Sequence, residues 1–237
     1  MDKKKISKDK LRTFDSDITS ILSKQQLQSY DENIATSIEK YYNNRILALE
    51  AGHKIAELEI YLRNKMDFCL RELIGEDWIK NSKVLSSVKP KSHIPLEELE
   101  HDQILSSLML GEIIDLIQKY EILHYMLDLS SLDFKKYHQG NRNFFYSNGK
   151  KNKFSNISKV RIALNLIRNI RNRAFHWENL GKTRQNSGIS YPRITHKEEG
   201  TIIGIMPQNI LIFLDDLIDI IDNPEMKGYK NIKVKYV

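Results

Sequence analysis

The sequence predicts an all-α protein, a helical bundle with room for only a minor β hairpin or edge strand near the C-terminus. Three observations point there. The 237 residues include only 10 Gly and 5 Pro, the residues that punctuate strand-rich folds. Apolar residues recur at three- and four-residue steps over long stretches, the helical period. At 41% hydrophobic and 29% charged, the chain has enough apolar material for a substantial core. No linker and no internal repeat divides it, so residues 15–237 read as one domain behind a basic, flexible segment 1–14.

The elements follow in order. Residues 1–12 are Lys-rich and are expected to fray. Asp15 or Ser16 can cap a short helix through about Ser29. Asp31 can cap a long helix whose apolar positions run Ile34, Ile38, Tyr41, Tyr42, Ile46, Leu49, Ile55, Leu58, Tyr61, Leu62 and Met66. Gly52 is the one position at which it should break or bend, and Gly75 ends it. Residues 81–95 read as a loop. A helix from Leu96 to Ser107 starts with acidic residues, which suit the positive end of its dipole. Gly111 to Leu129 should form one apolar helix. Residues 138–157, polar, basic and rich in Asn, read as a loop. Ser158 caps a helix over roughly 159–179. Residues 181–207 look irregular, with short strands near Gly188–Ile194 and Thr201–Ile205. Asn209–Ile221 is a last apolar helix, and Ile232–Val237 alternates like an edge strand.

Composition narrows the function. One cysteine, Cys69, excludes an intrachain disulfide and a multi-Cys zinc site, and its apolar surroundings suit a buried hydrophobe. The opening Met1-Asp2-Lys3-Lys4-Lys5 does not lead into an apolar signal region, and no apolar run approaches the length of a membrane span, so a cytoplasmic location with no membrane partner is expected. The net charge of +6 fits a polyanionic partner. His53, His93, His101, His124, His138 and His196 show no metal-ligand spacing, and no Gly-rich phosphate loop is present, so neither a metal nor a cofactor is expected. Asp215, Asp216, Asp219 and Asp222 read as a solvated helix face. The basic stretch 149–153, with Tyr137, Phe144, Phe145 and Tyr146, can grip RNA by charge and stacking or belong to the core.

The informative helix reads, from Lys159, K-V-R-I-A-L-N-L-I-R-N-I-R-N-R-A-F-H-W-E-N-L. At roughly 100° per residue, Val160, Ala163, Ile167, Ile170, Ala174 and Trp177 fall on one side. Arg161, Asn165, Arg168, Asn169, Asn172, His176 and Asn179 gather on the other. Asparagine is a poor helix former, by up to about 0.7 kcal/mol against Ala. A stripe of amides is therefore best explained if the amides bind something, whether a ligand, a loop or a partner helix. Asn172 and His176 stand at i and i+4 on one face, and the long stem of Arg171 can bring its guanidinium alongside. Guanidinium suits phosphate oxygens and the charge of a five-coordinate phosphorus. Imidazole exchanges protons near neutral pH. Asn can orient the imidazole or hold the ribose. The catalytic candidates are thus Arg171, Asn172 and His176, with Asn165, Arg168, Asn169, Arg173, Glu178 and Asn179 around them.

Arg171-Asn172-Arg173-Ala174-Phe175-His176 resembles the R-x(4–6)-H signature of HEPN-domain proteins, in its R-N-x-x-x-H form. Leu58-Glu59-x-x-Leu62-Arg63-Asn64, followed by Gly75-x-Asp77-Trp78, is similar to the LE-x-x-LRN … G-x-DW helix of Abi-like (abortive infection) proteins, in which RNR-x-x-H-x-E follows about a hundred residues later. The resemblance spans about residues 20–222. It implies a HEPN-like bundle that forms a homodimer, with two motifs meeting in one metal-independent ribonuclease site under the control of an antitoxin or a phage component. One histidine per chain becomes two per site, a general base and a general acid. Many relatives carry a second His where this chain has Trp177, whose place on the apolar face suits a core role. Glu178 can pair with Arg173 or Arg63. Glu59, Arg63 and Asn64 are expected as a supporting layer behind the site or as an independent ion-pair network. Two other readings stand beside the nuclease: a non-catalytic HEPN module that binds or senses RNA or nucleotide, and a structural helical dimer seamed by the amide stripe.

Overall fold

A computed structural model describes residues 6–80 and 98–228. The loop expected at 81–95, His93, the first residues of the helix expected from Leu96, and the edge strand expected at Ile232–Val237 lie outside the described residues.

The architecture is mostly helical, with three two-stranded antiparallel hairpins among the described residues, so the all-α expectation is overturned. The N-terminal segment, expected to fray, holds α1 (Lys8–Ser16), capped by Ser7 and burying none of its residues. The short α2 (Ile18–Ile21) and α3 (Lys24–Gln28) follow, capped by Asp17 and Ser23. The spine is α4 (Ile34–Ile74), 41 residues without a break. Its cap is Asn33 rather than Asp31, and the helix runs unbroken through Gly52. Gly52 stands against the Phe175 ring, 3.7 Å from where a Cβ would be.

Beyond α4, α5 (His101–Ser107) starts only after a Glu100–Gln103 capping box. The single helix expected over Gly111–Leu129 is two, α6 (Leu110–Lys119) and α7 (Leu123–Met126), because Glu121 turns left-handed at φ 56° between them. The 20-residue α8 (Asn156–Phe175) is capped by Ser155, three residues earlier than expected, and its last helical residue is Phe175. Last come α9 (Ile210–Ile221) and α10 (Pro224–Gly228).

The strands pair as β1 (Phe144–Ser147) with β2 (Lys150–Lys153), β3 (Thr183–Asn186) with β4 (Ile189–Pro192), and β5 (Ile194–Glu198) with β6 (Thr201–Ile205). Each pair is joined by two residues, both at positive φ: Asn148-Gly149, Ser187-Gly188 and Glu199-Gly200. That is the primed turn whose twist matches paired strands. The glycines are few, but three of them stand where a hairpin needs them.

One core cluster joins these elements, with Ile55, Leu58, Leu62 and Met66 of α4 against Ile162, Ile167 and Ile170 of α8 and Phe213, Leu214 and Leu217 of α9. The helices α4 and α8 run in opposite directions, since Asn44 reaches Glu178 and Leu180 while Gly52 meets Phe175. Lys54 ties α4 to Asp215 on α9 at 2.6 Å. Buried Tyr137 donates to Asp216 at 2.6 Å, and burial, then that carboxylate, raise its phenol far above the ordinary range. The α9 aspartates are thus not a plain solvated face: Asp215 and Asp216 hold buried partners, and Asp222 pairs with Lys227. Cys69 is buried, and burial raises its thiol pKa.

Candidate functional site

The core face of α8 is as expected for Val160, Ala163, Ile167, Ile170 and Ala174, all buried. Trp177 is not among them. The helical period was extended past the true end of the helix, and Trp177 lies 40% exposed with the Arg45 guanidinium 4.5 Å from its ring centroid.

The amide stripe divides into two parts. Its N-terminal part is consumed within the chain. Arg161 pairs with buried Glu198 at 2.7 Å, and Asn165 donates to the Arg161 carbonyl of its own helix. Arg168 donates to the Gly111 carbonyl at 2.6 Å and pairs with Asp115. Asn169 donates to the Thr195 carbonyl of β5 at 3.0 Å. Arg161 and Asn169 dock the β5–β6 hairpin, and Arg168 docks α6, onto α8. Two of these bonds satisfy part-buried carbonyls of other elements, those of Gly111 and Thr195.

The C-terminal part is different. Asn172 and His176 are exposed, and neither side chain has a hydrogen bond within the chain among the described residues. Arg171 lies with its guanidinium 4.9 Å from the Phe175 ring centroid, which carries the charge along the helix toward the residue before His176. Its Nε is buried without a hydrogen-bond partner, as is that of Arg168, and among the described residues no carboxylate pairs with Arg171.

His176 is the C-cap of α8, not a mid-helix residue. The chain then reverses by a Schellman motif: the Glu178 amide donates to the Arg173 carbonyl at 2.9 Å, and the Trp177 amide to the Ala174 carbonyl at 3.1 Å. This puts Trp177 at φ 56°, a position usually held by Gly. The Arg173–Glu178 ion pair, 2.7 Å, spans the same turn, and among the described residues Arg171 is the motif arginine without a counter-ion. Asn179 lies beyond the helix and reaches the Ser29 carbonyl at 3.4 Å.

Glu59 and Arg63 pair with each other at 3.3 Å, and Arg63 also donates to the Leu108 carbonyl, so they form a separate network beside α6. Asn64 is exposed in a groove with Ile60 and Phe68.

Two positioning residues on α4 were not foreseen. Buried Asn44 donates to the Glu178 carbonyl and the Tyr30 hydroxyl, both at 3.0 Å, and accepts from the Leu180 amide at 2.7 Å. Arg45 covers Trp177. Asn44 sits in register with core residues Tyr41, Ala48 and Ala51. A polar side chain there needs a partner, and that was the available signal.

A cleft of about 660 Å³ opens beside the turn, lined by Tyr30, Lys40, Leu47, Asn179, Lys182 and Gln185 among others. On the α4 side the surroundings are apolar: Ile46, Leu49 and Phe175 are 55%, 61% and 53% exposed. Among the described residues no group of three or more His, Cys, Asp or Glu side chains could hold a metal ion, and no helix is long and apolar enough to cross a membrane. Compared with known proteins, the chain matches no family model, no curated protein and no solved structure.

Proposed function

We propose that the chain is a metal-independent endoribonuclease of phage-defence or toxin type, acting at a site composed of two copies. The observation that carries the reading is the division of the amide stripe. Arg161, Asn165, Arg168 and Asn169 make side-chain hydrogen bonds or ion pairs within the chain, while among the described residues Arg171, Asn172 and His176 make none.

Those three side chains suit one reaction. The ribose 2′-OH attacks the adjacent phosphorus in line, and an unprotonated imidazole takes its proton. The bond to the 5′-oxygen of the next nucleotide breaks, and an imidazolium protonates that oxygen. The products are a 2′,3′-cyclic phosphate and a free 5′-hydroxyl. Arg171 stabilises the phosphorane charge, and Asn172 holds the ribose or the imidazole. One chain offers one motif imidazole, and two copies supply the base and the acid. The exposed Ile46, Leu49, Phe175 and Trp177 give a second copy an apolar surface to cover beside the motif. A cytoplasmic location and control by an antitoxin or a phage component belong to the same reading, through the Abi-like resemblance.

A non-catalytic RNA- or nucleotide-binding module is the second reading. What favours it is that among the described residues no carboxylate touches His176, so no acid of a single copy orients the imidazole. The test is cleavage of RNA in excess EDTA by the wild type and by His176→Ala. Cutting by the wild type alone supports the nuclease. Equal cutting by both ends it. RNA binding without turnover, lost in Arg171→Ala, establishes the second reading.

A further inference from the structure

Between Arg142 and Lys153 the chain carries four cations, Arg142, Lys150, Lys151 and Lys153, and no acid. None of the four takes part in an ion pair among the described residues. An ordinary solvated hairpin interleaves both signs of charge.

The register sorts the side chains. Phe144 lies opposite Lys153 and Tyr146 opposite Lys151, and residues directly opposite share a face. The other face carries Phe145, which stacks on buried Phe154 at 5.5 Å between ring centroids and anchors the hairpin to the core. The outward face therefore presents two rings and two ammonium groups together. Tyr146 is 59% exposed, and the Lys151 ammonium lies 4.0 Å from the Phe144 ring centroid, with Arg142 at 5.8 Å from the same ring. The two-residue Asn148-Gly149 turn fixes that register. A cavity of about 380 Å³ adjoins this face, bounded by Phe144, Lys151, Lys153 and Lys159, with one acid, Asp133, among its other lining residues.

The hairpin is also placed on the edge of α8 that ends in the motif. Asn169 binds Thr195 of β5, Arg161 binds Glu198 at the other end of β5, and the Thr201 hydroxyl of β6 donates to the Phe144 carbonyl at 3.4 Å. One line thus runs from His176 along α8 and β5 to Phe144. Twenty residues of helix make it about 30 Å long.

We propose that the outward face of β1–β2 is a second RNA contact, which holds single-stranded RNA several nucleotides from the bond cut at His176. Bases stack on Phe144 and Tyr146, and phosphates meet Lys151, Lys153 and Arg142. The assignment rests on the proposed RNA-directed function and names the form of its substrate. Ring faces can receive bases only from an unstacked strand, and the cations match a backbone without reading sequence.

Binding of fluorescent oligouridylate by the full chain, carrying His176→Ala so that the probe stays intact, tests it. Lys151→Glu with Lys153→Glu should weaken binding at least tenfold. The same pair should lower the salt slope by about 1.4, since each single-strand phosphate contact contributes about 0.7. Tyr146→Ala should weaken binding by about 5- to 150-fold, the range for one stacked base. Duplex RNA should compete poorly. The side chains are exposed, and unchanged circular dichroism checks the fold. Unaltered affinity and slope in these variants, equal competition by duplex, or no RNA binding by the parent would each overturn the assignment. Cutting is read separately in the chain with His176 intact. Binding through the hairpin without cutting removes the nuclease alone, and cutting with hairpin variants that bind like the parent removes the hairpin site alone.

Discussion

Asn44→Ala is the perturbation whose effect on the site follows most directly from geometry. The Asn44 amide is the clamp between α4 and the turn that carries His176. Its removal takes away two donor bonds, to the Glu178 carbonyl and the Tyr30 hydroxyl, and the acceptor for the Leu180 amide. Leu180 is buried, so its N–H loses a partner that water does not easily replace, at about 1–3 kcal/mol. Glu178 is exposed, so its carbonyl can regain water and the loss there is about 1 kcal/mol. The expected total is about 2–4 kcal/mol. Urea unfolding at unchanged m-value reports it as a lowered midpoint. Cleavage should fall as well, because residues 176–180 lose their tether to α4. A change below about 0.5 kcal/mol would refute the reasoning, since that is the range of an ordinary surface substitution.

Trp177→Gly should leave thermal stability equal or slightly higher: relief of a left-handed non-Gly residue is worth roughly 1–2 kcal/mol against about 0.5–1 for the lost contact with Arg45. A clear fall in melting temperature would show that the turn is not strained. Gly52→Ala should stabilise by about 0.5–1 kcal/mol in chemical unfolding, because the new methyl meets the Phe175 ring at ordinary contact distance inside a helix. The Asn143 amide, followed by the Lys135 backbone amide, holds the Asp133 carboxyl below its ordinary 3.8. Its contribution is therefore present above that pH and lost as pH falls through the lower folded value, so Asp133→Asn should flatten the acid limb of stability in unfolding curves taken from about pH 5 to about pH 2.

Much of the helical frame was legible in the sequence. The spacing of Ile55, Leu58, Leu62 and Met66 marks the buried face of α4, and all four are core residues. The β1–β2 hairpin was not, for a physical reason: Lys150–Lys153 is exposed throughout and has no apolar alternation, so hydrophobic periodicity is silent there. Only Asn148-Gly149 announced it, and a count of glycines discards what their positions say. The motif stripe was legible as a stripe, because Arg161, Asn165, Asn169 and Asn172 follow from helix geometry alone. Which amides remain free was not, since it depends on β5 lying along α8 from Thr195 to Glu198. Trp177 was misplaced by extending the period two residues past Phe175, into a turn held by backbone bonds that no side-chain pattern reveals.

In the proposed reaction the RNA's own 2′-hydroxyl attacks, assisted by His176 and Arg171 without a metal. The most direct measurement is the mass of the 5′ fragment after digestion of a defined RNA in EDTA. A fragment ending in 2′,3′-cyclic phosphate, absent when the nucleotide before the cut is 2′-deoxy, is the predicted result. A fragment ending in a 3′-hydroxyl, or undiminished cutting at the 2′-deoxy position, would contradict it.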